Sequence, residues 1–212
     1  MIRNIVIRNL LIYDFVSQFG FGLIAPIFAI YVLDVVGSDA IRVVGTAATA
    51  YWLGRVLSSV PLARFMDRFD GERDEYYFLL LGNFITSTIP LFFLLATEPT
   101  HFYIIQFIHG ISNSMLVPGW RILFTNHLDG QKRGFQWSLD DVSVGLAIAS
   151  SAYVGSLLAA QFGFQILLVA VSVIGYVATL LIIPLHTRIF VNLPKNRELV
   201  TDQPKKTLIK GA

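Results

Sequence analysis

Apolar residues run through this chain in long continuous blocks. Six blocks stand out, at 10–33, 41–63, 76–96, 101–125, 135–160 and 163–185. Each is long enough to cross about 30 Å of hydrocarbon as a helix. Turn chemistry separates them: Gly37-Ser38-Asp39, the charged run 64–75, Glu98-Pro99, Asp129-Gly130 and Gly163. The blocks do not alternate apolar and polar positions, which argues against a β-barrel. The last two nearly touch and predict a tight helical hairpin. The expected fold is an all-α membrane protein of six transmembrane helices over residues 1–185, followed by a basic, disordered tail over 186–212.

Composition agrees with lipid as the main solvent. Of 212 residues, 55% are hydrophobic and only 14% are charged, whereas a soluble domain is about a quarter charged. The first block is too long for a signal-peptide core and lacks a small-residue cleavage site, so it reads as a retained helix. There is no cysteine, which excludes disulfide frameworks, thiolate metal sites and thiol nucleophiles. A net charge of +2 gives no reason to expect a nucleic-acid partner. No cofactor or metal is implied.

The distribution of Lys and Arg sets the expected orientation. Arg3, Arg8, Arg64, Arg68, Arg73, Lys132, Arg133 and the tail residues Arg188 to Lys210 fall on one side, and Arg42 on the other. By the positive-inside rule both termini face the cytoplasm, in a cell membrane. The tail's positive charge either draws it to anionic headgroups or simply anchors this orientation.

Charges within hydrocarbon are costly and turn toward protein or water. Asp14, Arg55, Arg121, Asp140 and Asp141 are such charges. At about 1.5 Å per residue, most lie within a few turns of the cytoplasmic boundary. They are expected to form one cluster there, with three acids against two bases. An acid left over is a candidate proton carrier; structural pairing at helix ends is the other reading. Gln106, His109 and Asn113 share one helical face, with Trp120 two turns on. This stripe either bonds neighbouring helices or lines an aqueous cavity. Asp14 and Gln18 stand one turn apart on the first span. Gly145, Ile148, Ala152 and Gly155 form a side of small residues suited to close helix packing. Pro26, Pro61, Pro90 and Pro118 are expected to break or bend four spans, and the sixth span reads as lipid-facing. Motifs of intramembrane serine proteases and membrane acyltransferases are absent, and the four His do not pair as haem ligands, so no enzyme is expected.

Several segments resemble the major facilitator superfamily. They are Pro61-x-Ala63-Arg64-Phe65-Met66-Asp67-Arg68 with Gly71-Glu72-Arg73; Gly110 to Ser114, then Pro118-Gly119; Lys132-Arg133-Gly134; Gly20-Phe21-Gly22 with Pro26; and Phe162-Gly163-Phe164. The resemblance covers residues 8–186. It departs from the family where a helix-4 arginine becomes Gln106, and where the Gly-Pro of the antiporter motif becomes Ala152-Tyr153.

The resemblance implies half of a twelve-span alternating-access transporter. The two halves of that fold share one orientation, so a parallel homodimer could rebuild the whole. It implies that the first and fourth spans line a central path for a small solute, with protons as a possible coupling ion. It also implies that Asp67, Arg68 and Arg73 form a gating loop latched to the opposite half. The reading that remains beside a transporter is a non-transporting subunit or regulator, or a truncated fragment of a twelve-helix protein.

Overall fold

The computed structural model describes residues 4–68 and 72–191. The expected tail from 192 onward and part of the signature loop (69–71) lie outside the described residues. Within them the regular structure is helical: α1 (Ile5–Gly22), α2 (Phe28–Val36), α3 (Ala40–Met66), α4 (Arg73–Phe93), α5 (Pro99–His127), α6 (Arg133–Ile182) and α7 (Leu185–Val191). Short 3-10 turns, Ala25–Ile27 and Gly37–Asp39, join α1 to α2 and α2 to α3.

The boundaries follow local chemistry. Asn4 caps α1 by accepting from Val6 N–H at 2.9 Å. Glu98 and His101 form a reciprocal capping box at the start of α5, with Pro99 in the first turn. Two glycines stop helices where the backbone turns left-handed: Gly37 (φ 69°) after α2 and Gly163 (φ 78°) within α6. At Gly163 the chain doubles back. Gly155, before it, lies on Leu23, while Ile174, after it, lies on Gly20. The two limbs of α6, 133–162 and 164–182, therefore run side by side along α1.

Three of the sequence expectations are narrowed or corrected by the observed helices. Of the four prolines, only Pro26 sits in a true break, the 3-10 turn between α1 and α2. Pro61, Pro90 and Pro118 lie inside continuous helices, because adjacent helices and hydroxyl side chains can take up the freed backbone groups. The sixth span is not simply lipid-facing. Its Leu168, Val171, Gly175 and Ile182 are buried while Val169, Val173, Val177 and Leu180 are exposed, so one face packs and the other does not. Helix α7 also runs across the expected 185/186 boundary.

By length and hydropathy, three stretches of the described residues suffice to cross a membrane: Ile5–Met66, Arg73–Phe93 and Arg133–Thr187. The first and third contain the breaks just described. Helix α5 is long enough at 29 residues, but polar residues along its length lower its hydropathy.

Two apolar clusters close the ends of the bundle. One joins Val6, Leu10, Tyr76, Leu79, Trp120, Phe124, Ile182 and Leu185. The other joins Tyr31, Val43, Phe93, Phe102 and Leu168. The start of α1 and the start of α7 thus share one end. Polar pins hold the helices between these clusters. Asn83, fully buried, donates to Thr179 Oγ1 at 2.7 Å and to the Gly175 carbonyl at 3.1 Å, and accepts from Tyr13 Oη at 3.0 Å. Thr86 and Ser112 hydroxyls meet at 2.8 Å, and Ser58 donates to Ser114 Oγ at 2.9 Å. Where lipid offers no aqueous competition, such bonds fix helix register as well as proximity.

Candidate functional site

A cavity of about 410 Å³ opens between α1, α3, α4 and α5. Its walls follow from the helical period: Asp14, Ser17, Gln18 and Phe21 stand on one side of α1, and Gln106, His109, Asn113 and Val117 on one side of α5. Tyr51, Thr86, Pro90 and Phe93 complete much of the lining. His109 Nδ1 lies 3.1 Å from Gln106 Oε1. Its ring stacks 6.1 Å from Phe21 and meets Tyr51 edge-on at 5.1 Å. Asn113 Nδ2 donates to the His109 carbonyl at 3.3 Å. Amide, imidazole and aromatic faces are therefore held together over a mostly apolar floor. Such a surface suits a small solute with rings and a few hydrogen-bonding groups.

Trp120 is not part of this wall. It shares the helical face, but the cavity ends above it. Its ring stacks on Phe124 at 4.8 Å, with Trp137 edge-on at 6.0 Å, and its Nε1 has no partner. Helical period gives the direction of a side chain; the depth at which neighbouring rings close the space is a tertiary property.

The five intramembrane charges do not form the expected single cluster. Asp14 lies on the cavity, close enough to Gln18 and Asp140 to interact with both. Asp140 is buried, with Oδ1 lacking a hydrogen-bond partner, and Asp141 is exposed. The arginines stand elsewhere. Arg55 donates to Tyr51 Oη at 3.2 Å and lies 5.3 Å over the Trp52 ring. It shares a second cavity, of about 310 Å³, with Arg121. His127 Nε2 lies 3.6 Å from a Glu72 carboxylate oxygen, an ion pair when the imidazole is protonated; neither Asp14 nor Arg121 forms an ion pair among the described residues. Depth along the membrane normal places such charges at a similar level but does not fix their azimuth, and α1 packs mainly on α6 while α3 packs on α5.

The signature loop begins at the end of α3, where Asp67 and Arg68 are exposed and their N–H groups close the helix onto Ala63 and Phe65 carbonyls. Arg73 opens α4. Directly after it, Asp74 and Glu75 are buried, and both Asp74 carboxylate oxygens and Glu75 Oε2 lack hydrogen-bond partners. In the sequence both acids belong to the charged run 64–75, and nothing there marks them as buried. Asn83 and Thr86 are further positions that the sequence pattern alone does not single out, although a mid-span Asn is itself a signal of helix contact.

The small-residue side of α6 is used in a shifted register. Gly155 presses on the Leu23 carbonyl and Ser151 on Gly22, but Gly145 faces open space.

Comparison with known proteins gives these features a context. The chain is 24% identical over 200 residues to the multidrug resistance protein MdtG of Dickeya zeae, covering 93% of this chain and 47% of that protein. It is 25% identical over 170 residues to the multi-drug resistance efflux pump PmrA of Streptococcus pneumoniae, covering 79% and 41%. The chain thus spans less than half the length of these relatives. Its fold matches the POT family transporter PepTSo with a TM-score of 0.70 at 16% identity, over 89% of this chain and 39% of that one. The model of the Major Facilitator Superfamily matches residues 10–210. With nearly the whole chain under that match, and with described residues that form helices of membrane-crossing length around a cavity of mixed polar and aromatic lining, this integral membrane protein belongs to the major facilitator superfamily.

Proposed function

We propose that this chain acts as one half of a secondary, alternating-access transporter of a small solute, assembled with a second half. The observation that carries this reading is the cavity of about 410 Å³ on which Asp14, Gln18, Gln106, His109 and Asn113 converge with Phe21, Tyr51 and Phe93. Polar groups on α1 and α5, with the Tyr51 hydroxyl on α3, gathered at one place are costly in lipid unless they face water, solute or protein. The relatives' names describe multidrug resistance and, for PmrA, an efflux pump, and a cavity rich in rings and amides suits amphipathic aromatic solutes.

The second half is proposed to be a parallel copy of this chain or a separate partner. Broad apolar faces support this arrangement: Trp52, Val56, Leu57 and Val60 on α3, and Val142, Leu146, Tyr153 and Leu157 on α6, are all exposed. We place both termini on the cytoplasmic side. The start of α1, the end of α3, the start of α4 and the 128–133 turn share one end of the bundle, and that end carries Arg8, Arg64, Arg68, Arg73, Lys132 and Arg133. Asp67, Arg68 and Arg73 are proposed to gate there against the opposite half.

The test is flux. Proteoliposomes holding the full chain should take up a fluorescent aromatic dye when a proton gradient is imposed, and Gln106→Ala with Asn113→Ala should slow uptake at least severalfold. Chemical cross-linking in native membranes should trap a dimer. Wild-type flux no greater than that of empty liposomes would favour a non-transporting subunit, regulator or fragment.

A further inference from the structure

We infer that the second cavity, between α3 and α5, is a binding site for an anionic group of phosphate or carboxylate type. Its wall holds Arg55, Arg121, Ser59, Asn113 and Ser114 and carries no acid. Neither arginine forms an ion pair among the described residues. An arginine in a spanning helix is costly unless it is matched by an acid, reaches the interface or meets an anion. Arg55, set in a wall that carries no acid, calls for a negative charge from outside the chain, and Arg121 on the same wall is the second cation such a group would meet.

The position of Arg55 is fixed, which separates it from a long side chain seeking water. Gly110 lets the α5 backbone lie directly against Tyr51 and Arg55 of α3. Ser59 and Ser114 then donate to the Arg55 carbonyl, at 2.6 and 3.0 Å. The serines spend their protons on the backbone, so they position the arginine and leave anion recognition to the guanidinium. That group is held from the other side by Tyr51 Oη and the face of Trp52. One of its five N–H donors is engaged at Tyr51, the side-chain hydrogen bond it makes among the described residues. Arg121 is exposed at the far wall, where an anion would enter. A guanidinium fork matches the oxygens of a phosphate or carboxylate better than an ammonium group does, and both arginines line this space.

The site adjoins the proposed solute cavity, because Asn113 and Val117 line both. Its occupancy is measurable without flux, so it stands or falls separately from the transport reading. The anion could be a lipid headgroup or a soluble ion, and the test distinguishes them.

Purified full chain would be titrated with inorganic phosphate against chloride at matched ionic strength, reading the thermal midpoint. In parallel, native mass spectrometry would count phosphatidylglycerol and phosphatidylcholine retained from mixed micelles. The expectation is stabilisation by phosphate, or selective retention of phosphatidylglycerol, weakened about tenfold by Arg121→Gln, the loss of one charge-assisted bond. Arg121→Lys should recover part of it. Arg55→Gln should have a larger effect, and the exposed Arg121 keeps the test valid if that variant folds poorly. A phosphate effect alone means a soluble anion, and phosphatidylglycerol retention alone means a headgroup. If neither exceeds its control, or if Arg121→Gln changes neither, the site is refuted. Loss of the cross-linked dimer without any anion binding would also refute it and assign the arginines to a partner's carboxylate.

Discussion

Asn83 ties α4 to the second limb of α6 through a 2.7 Å hydrogen bond from its Nδ2 to Thr179 Oγ1. The same side chain accepts from Tyr13 Oη on α1, so one amide joins three helices at a fully buried point. In lipid the strength of a single such bond is modest, but its loss orphans the partners. Asn83→Leu is expected to destabilise the fold by about 2–3 kcal/mol. Thr88→Val removes a partly exposed hydroxyl contact with Tyr176 and should cost less than about 1 kcal/mol. Unfolding midpoints in one detergent would compare them; equal midpoints would show that the Asn83 hub contributes nothing.

The close approach of α1 and α6 makes a second, sharper contrast. A β-carbon at Gly155 would overlap the Leu23 carbonyl, whereas one at Gly145 would meet nothing within 4 Å. Gly155→Ala should therefore force the helices apart and cost about 1–3 kcal/mol. Gly145→Ala should be neutral or slightly stabilising, since alanine is the better helix former. Thermal scans of both variants settle the register of the contact; a stable Gly155→Ala protein would mean that α1 and α6 do not meet there.

For the proposed gate, Asp67→Asn should leave insertion intact, because acidic residues contribute little to topology. Asp67 is exposed within this chain, so any latch must close on another surface. The substitution is expected to shift labelling of single cysteines placed on opposite faces of the bundle, with the thermal midpoint changed by less than about 0.5 kcal/mol equivalent. Unchanged labelling on both faces would rule out a latch at this residue.

These contrasts show what the sequence makes legible. Apolar block length and the turn residues Gly37 and Gly163 report local energetics, so the helical character and the hairpin of α6 could be read directly. The α5 stripe was legible for the same reason: residues 106, 109 and 113 share a face by geometry alone. The placement of Trp120 and the separation of Arg121 from Asp14 were not, because both depend on which helix stands beside which. Asp14 belongs to a helix packed on α6, and Arg121 turns toward α3. The burial of Asp74 and Glu75 was hidden for a related reason. Acids in a first helical turn look like ordinary complements to the helix dipole, and only tertiary packing covers them.

Asp14 carries the last prediction. Its carboxyl lines the solute cavity, has Gln18 and Asp140 as near neighbours, and has no cation paired to it among the described residues. Had it been paired with Arg121, removing its charge would strand a cation and cost several kcal/mol, about 3–5. With the two residues apart, Asp14→Asn should leave stability within about 1 kcal/mol of wild type, or raise it by relieving repulsion from Asp140. Combining it with Arg121→Gln should give additive changes, to within about 0.5 kcal/mol. Function separates from stability here. Asparagine preserves shape and hydrogen bonding but cannot exchange a proton, so a proton-coupling role predicts failed gradient-driven uptake with solute exchange retained. The decisive measurement pairs thermal midpoints with both flux modes in one preparation. Normal gradient-driven uptake by Asp14→Asn would remove this residue from coupling, and a large stability loss rescued by Arg121→Gln would show that the two charges meet after all.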